Sequence, residues 1–128
     1  MAKVYLAAPF AEYLKVEGYA HDLEARGHVV TSRWHRDHVA LWHKDPSKKQ
    51  GQEYARSALD DLEDIDQADT IICLTQGDDT TYTSGGRHFE AGYAYATGKH
   101  CIVFGPVENV FYNLFAWATS WEQVVSYL

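Results

Sequence analysis

The stretch Asp69-Thr70-Ile71-Ile72-Cys73-Leu74-Thr75 is an unbroken apolar run between polar ends, and His100-Cys101-Ile102-Val103-Phe104-Gly105 repeats the pattern further on. Runs without alternation suit strands buried on both faces, the condition of a parallel sheet covered by helices. Between the two runs lie a polar loop, Gln76 to Gly86, and a segment of small and aromatic residues that ends at Gly98. Strand, loop, helix and strand therefore follow one another, and that alternation sets the fold class.

Outward from this unit the alternation continues. Lys3 to Ala8 reads as a short apolar strand closed by Pro9. Phe10 to Arg26 reads as a helix with Tyr13, Leu14, Ala20 and Leu23 at helical spacing, ended by Gly27. His28 to Ser32 is a second strand. Gln52 to Gln67 is a second helix, with Ala55, Ala58, Leu59, Leu62 and Ile65 as its apolar stripe. Asn113 to Leu128 is aromatic-rich and is expected to be helical in part. The predicted architecture is α/β: one domain over residues 1–128, a flavodoxin-like or Rossmann-like open parallel sheet flanked by helices. Ligands of such sheets bind at the carboxyl ends of the strands. Those ends are Ala7-Ala8-Pro9-Phe10, Ser32-Arg33-Trp34-His35, Thr75-Gln76-Gly77 and Gly105-Pro106, so the pocket is expected there, with Phe10 among its residues.

Composition narrows the function. The chain has 128 residues, 46% of them hydrophobic, and a net charge of −7. That is enough to bury a core, and the negative balance argues against binding a nucleic acid backbone, which needs a basic surface. No apolar run approaches a membrane span, and Met1-Ala2-Lys3-Val4 enters a strand pattern with no signal-peptide shape, so a cytoplasmic protein without membrane partners is expected. Cys73 and Cys101 lie inside apolar runs and read as core residues rather than as a disulfide or metal pair.

The chemistry concentrates in Thr83-Ser84-Gly85-Gly86-Arg87-His88-Phe89-Glu90-Ala91-Gly92-Tyr93-Ala94. Gly85 and Gly86 let a ligand approach the main chain, and the helix start behind them suits an anion. Glu90 is expected in the first turn. It is either a carboxylate complementing the helix dipole or a catalytic carboxylate kept ionised by it. Arg87 with Ser84 could cradle a phosphate, or Arg87 could be a surface residue paired with a carboxylate.

Two other stretches stand out. The long loop Arg33 to Gln50 holds Trp34, His35, His38, Trp42 and His43. Its histidines lack the cysteine or carboxylate spacing that completes a metal site, so no metal is assigned and a lid over a flat ligand is expected. The acidic run Asp60-Asp61-Leu62-Glu63-Asp64-Ile65-Asp66 reads mostly as a solvated helix face, with Asp61 placed to border the pocket; Asp69 reads as a structural cap.

These residues carry a resemblance. Val4-Tyr5-Leu6-Ala7-Ala8-Pro9-Phe10, Asp61 through Ala68-Asp69, Gly86 through Ala94, Gly105-Pro106-Val107-Glu108-Asn109-Val110-Phe111 and Asn113-Leu114-Phe115-Ala116-Trp117 form an ordered set. The set is similar to the nucleoside 2-deoxyribosyltransferase family, which includes 2'-deoxynucleoside 5'-phosphate N-hydrolases, and above all to its short phage-type members.

The resemblance implies Glu90 as nucleophile, Asp61 as the carboxylate that hydrogen-bonds or protonates the base, and Tyr5 as the residue that orients the glutamate. It implies a phosphate contact at Ser84 and a residue lent to a neighbouring subunit's pocket at Asn113. Gly85, Gly86, Arg87 and Phe10 complete the expected substrate-binding set. The implied reaction is cleavage of the N-glycosidic bond of a 2'-deoxynucleoside or its 5'-monophosphate, with transfer to a free nucleobase or to water and without a cofactor. A homodimer or higher homo-oligomer is expected from the aromatic C-terminal quarter. The alternative reading is a module that holds a nucleotide without turning it over. The pair Glu90 plus Asp61 separates the two, because a phosphate binder does not need it.

Overall fold

The computed structural model describes residues 1–37, 51–75 and 85–128. Its centre is a parallel sheet of β1 (Lys3–Ala7), β2 (Val29–Val30), β3 (Thr70–Leu74), β4 (His100–Phe104) and β5 (Ala116–Ala118), in the order β2-β1-β3-β4-β5. All five residues of β3 are buried, as its unbroken apolar run requires. It pairs with β1 through Tyr5↔Ile71 and with β4 through Ile71↔Cys101. The order places the topological switch between β1 and β3, where a crevice opens at the carboxyl ends.

The helices are α1 (Tyr13–Ala25), α2 (Trp34–Asp37), α3 (Gln52–Gln67), α4 (Gly86–Ala96) and α5 (Trp121–Ser126). On one face of the sheet α1 and α5 meet: the Trp121 ring lies 4.2 Å from Tyr19, and its indole N–H donates to Asp22 at 2.7 Å. On the other, α3 packs on α4, and the Tyr93 hydroxyl donates to Asp66 at 2.7 Å. Gly27 follows α1 with φ 93°, the left-handed conformation that lets the chain turn out of the helix and into β2. Asp69 caps the sheet as expected, accepting from the Lys3 backbone N–H and the Thr70 hydroxyl. Cys73 and Cys101 are buried, free thiols. Among the described residues no helix is long and apolar enough to cross a membrane.

Several expectations need correction. The helix expected from Phe10 starts as a 3-10 turn, Phe10–Glu12, and the face of α1 that reaches the core is Val16, Ala20 and Leu23. Leu14 falls off that i, i+4, i+7 stripe and is 72% exposed. In α3 only the last turns lie against the sheet: Ile65 is buried and Leu62 half-buried, whereas Ala55, Ala58 and Leu59 are exposed. The second strand shrinks to two residues because side chains replace its ladder. The Leu6 N–H donates to Ser32 Oγ at 3.2 Å, and the Trp34 indole donates to the Leu6 carbonyl at 2.7 Å.

Trp34 and His35 are therefore core residues of α2 and not part of a lid; they are 6% and 1% exposed. The His35 ring is held on both sides, by Ser32 Oγ at 2.8 Å and by the Glu17 carboxylate. Residues 38–50 of that loop, with His38, Trp42 and His43, lie outside the described residues. The C-terminal quarter, expected as part helix, also contains a 3-10 turn, Val110–Leu114, and the edge strand β5. Ala116-Trp117-Ala118 is too short and mixed to announce a strand by pattern alone.

Candidate active site

β1 and α4 bring the first two candidate residues together. Tyr5 is fully buried in the middle of β1, and its hydroxyl donates to the Glu90 carboxylate. Glu90 is the fifth residue of α4, one turn deeper than expected, because the helix already begins at Gly86. It therefore lies beyond the first turn, where the helix dipole favours a negative charge most.

The dipole does not keep this group ionised. Burial first, then the charge of Asp61, push the Glu90 carboxyl up from 4.5 to about 8, against the opposing pull of the Tyr5 hydroxyl. As a residue Glu90 is only half-buried, so it keeps a solvent-facing side on which a ligand can reach it. Tyr5 is held well above its ordinary value by burial and then by Glu90 and Asp61, so it stays a donor.

Asp61 enters from α3. Burial first, then the charges of Asp64 and Asp60, raise it from 3.8 to about 7, with Arg33 pulling the other way. Both carboxyls are raised towards neutral pH, and the charge of Asp61 acts on Glu90, so the two titrate as a coupled pair. Two carboxyls in that state can divide the roles of nucleophile and acid.

The start of α4 holds the rest of the expected set. Gly85 caps the helix at φ 82°, a left-handed angle that L side chains rarely adopt, and Gly86 is exposed beside it. Ser84 lies outside the described residues. Arg87 is neither a surface residue nor a free cation: it is 7% exposed and its guanidinium donates to the Glu108 carboxylate, leaving Nε unbonded. Phe10 is half-buried, its ring 6.0 Å from both Tyr13 and Trp34 beyond the end of β1. Asn113 is exposed on the 3-10 turn, where its side-chain amide donates to the Val110 carbonyl at 2.9 Å. Tyr5, Asp61 and Glu90 thus form one group; Asn113 stands apart from it.

A cavity of about 280 Å³ lies beside this group rather than in it, between α4 and the 3-10 turn. Its lining includes His88, Ala91, Gly92, Tyr95, Phe111, Tyr112 and Phe115, but none of Tyr5, Asp61 and Glu90. Sequence reading also passed over Asp64, which is buried and bound by Arg33. The signal was available: Asp61 and Asp64 are three residues apart, which places them on one helix face.

Comparison with known proteins agrees with this fold. The family profile described as nucleoside 2-deoxyribosyltransferase matches residues 4–119. Among solved structures, a 2-deoxyribosyltransferase from Bacillus psychrosaccharolyticus is 26% identical, with a TM-score of 0.65 over 96% of this chain and 90% of that one. A CMP N-glycosidase from Clostridium botulinum is 18% identical, with a TM-score of 0.60 over 98% of this chain and 96% of that one, a likeness of fold. No curated protein matches the chain.

Proposed function

The chain belongs to the nucleoside 2-deoxyribosyltransferase family, and from that premise we propose that it cleaves the N-glycosidic bond of a 2'-deoxynucleoside or its 5'-monophosphate through a covalent glutamyl-deoxyribose intermediate. The observation that carries the reading is the Tyr5 hydroxyl donating to the Glu90 carboxylate within the field of Asp61. A 2'-deoxyribosyl group lacks the 2'-hydroxyl that disfavours positive charge at C1', so the base departs with comparative ease. In the first step a Glu90 carboxylate oxygen bonds to C1' as the C1'–N bond breaks, and Asp61 gives its proton to the leaving base nitrogen. In the second, a ring nitrogen of another base or a water oxygen attacks C1' and the ester breaks. The Asp61 carboxylate takes the proton that the acceptor loses. Tyr5 fixes the rotamer of Glu90 by its hydrogen bond, so the attacking oxygen is aimed before substrate arrives.

A 5'-phosphate would meet the backbone N–H groups opening α4. Because Arg87 is engaged by Glu108, that contact rests on Gly85 and Gly86 and on Ser84 rather than on a free guanidinium. Incubation with each deoxynucleoside and each monophosphate, with and without a second free base, separates the outcomes by chromatography. A new nucleoside formed only with acceptor base means transfer; free base from monophosphates alone means hydrolysis. Ligand retained with no product across the panel overturns the enzymatic reading in favour of a binding module.

The working form in this reading is a homodimer or higher symmetric oligomer. The aromatic residues of the C-terminal quarter divide: Phe104 and Tyr112 enter the core, whereas Phe111 is 72% and Trp117 54% exposed. Phe111 and Leu114 project beside the cavity they help to line, so knob and recess share one face, as a two-fold contact requires. Asn113, exposed on the same turn, would be the residue lent to a neighbouring subunit's pocket. Phe111→Asp should convert the assembly to monomer in sedimentation at micromolar concentration and lower turnover with it. A wild-type monomer that is fully active removes this part of the reading.

A further inference from the structure

Arg33 and Asp64 make the most complete polar contact near the candidate site that the reaction does not use. The Asp64 carboxylate accepts from the Arg33 backbone N–H at 3.0 Å and from its Nε at 2.8 and 3.1 Å, with the terminal guanidinium nitrogen 2.8 Å away. Asp64 is 5% exposed; burial raises its carboxyl, and Arg33 opposes that rise through its charge, its backbone N–H and its Nε. The Asp64 carbonyl accepts from the Thr31 hydroxyl at 2.7 Å, which bolts the last turns of α3 to the segment leaving β2.

One turn back on the same helix stands Asp61. Residues three apart on a helix are neighbours, so the bolt fixes both the place of Asp61 and the charge beside it. An ion pair with one solvent-exposed partner contributes little net stability, which directs attention to what the pair does to its neighbours.

We propose that the Arg33–Asp64 pair is a positioning device for Asp61: the arginine pins Asp64 one helical turn from Asp61, and the negative charge of Asp64 there makes Asp61 hold the proton that it delivers to the leaving base. The proposal rests on the reading of Asp61 as the acid. The charged and titratable groups facing Asp61 are Asp64 and Asp60 on α3, Arg33 from the segment after β2, and Glu90 and Tyr5 across the crevice. Among these, Asp64 acts more strongly on Asp61 than Arg33 does, so the pair as a whole favours the protonated form. Asp64 also reaches Glu90 and Tyr5, which places its influence on the whole group.

Carbon-13 NMR titration of the Asp61 carboxyl in the whole folded protein tests this without requiring turnover. Asp64→Asn should move the Asp61 midpoint to lower pH by about one unit, whereas Asp64→Glu, which keeps the charge, should leave it near wild type. The double variant Arg33→Met/Asp64→Leu removes both partners without stranding a charge. It should move the midpoint the same way by less, and it keeps the test open if Asp64→Asn does not fold. In turnover both limbs of the pH profile should shift to lower pH in Asp64→Asn, because Asp64 raises both Asp61 and Glu90, while KM stays within about twofold. An unmoved Asp61 midpoint in the folded neutral variants overturns the proposal and leaves the pair as a structural bolt. If instead Glu90 variants retain activity, the assignment of the reaction falls while the titration still reports on the pair.

Discussion

Glu90→Gln should lose essentially all turnover of deoxynucleosides and their monophosphates, by about four orders of magnitude or more, while the protein folds as before. The amide keeps an oxygen for the Tyr5 hydroxyl, so the local hydrogen bond survives and only the nucleophile is removed. Glu90→Ala should be equally inactive. Near wild-type turnover in either variant excludes Glu90 as the nucleophile. Trapping supplies an independent check: denaturing wild-type enzyme during turnover should yield a deoxyribosyl adduct on Glu90, absent from Glu90→Gln.

The same substitution should raise stability, and the sign follows from the proton. In the fold the Glu90 carboxyl is pushed up to about 8 from an ordinary 4.5. A carboxyl raised in this way binds its proton more tightly folded than unfolded. Its contribution is therefore fully present below about 4.5 and is lost as pH rises towards 8. Ionising Glu90 works against the fold across that window. Glu90→Gln, which never ionises, should match wild type in thermal unfolding at pH 4 and exceed it at pH 8 by on the order of 4 kcal/mol. A variant less stable than wild type at pH 8 contradicts this account of the site's strain.

How much of this was legible in the sequence depends on which physical signal each element leaves. β3 and β4 were legible because burial on both faces demands an uninterrupted apolar run, and both expected spans are within a residue of the observed ones. The span of α3 was legible as Gln52–Gln67, but its buried face was not. Amphipathic spacing tells which residues share a side, not whether the sheet extends far enough to cover them, and Leu59 is left 66% exposed. β2 and Trp34 misled for a related reason. Indole and hydroxyl groups bonded to Leu6 continue the edge of the sheet where the backbone ladder stops, and no periodicity encodes that.

Within the site, residue types were more telling than their surroundings. Asp61 and Glu90 could be singled out by type and position, and Tyr5 through the family resemblance alone, whereas the environment that raises the two carboxyls arises only when β1, α3 and α4 converge. The helix dipole, a local feature, suggested an ionised Glu90; burial and a like charge from a distant element outweigh it. Arg87 shows the same limit. Its charge was visible, but its partner Glu108 lies on a different loop, and the pairing appears only when α4 packs beside β4.

Asp61→Asn carries the second large effect, and it should depend on the leaving group. A base that departs as an anion needs a proton at the transition state, and losing a positioned acid lowers such a step by about 10² to 10⁴. A 7-methylated purine departs neutral without that proton, so its cleavage should fall by less than about tenfold. The pH profile supplies the discriminating detail. The productive form has Glu90 ionised and Asp61 protonated, yet Asp61 loses its proton near 7 and Glu90 near 8. Only a minority of free enzyme is then in the productive arrangement, and both limbs of kcat/KM belong to the pair rather than to either residue. In Asp61→Asn the basic limb should vanish for the methylated substrate, because no acid remains to be lost. The acidic limb should move to lower pH, because the charge of Asp61, second only to burial in raising Glu90, is gone. Equal losses on methylated and ordinary bases, with both limbs in place, would reduce Asp61 to a structural carboxylate.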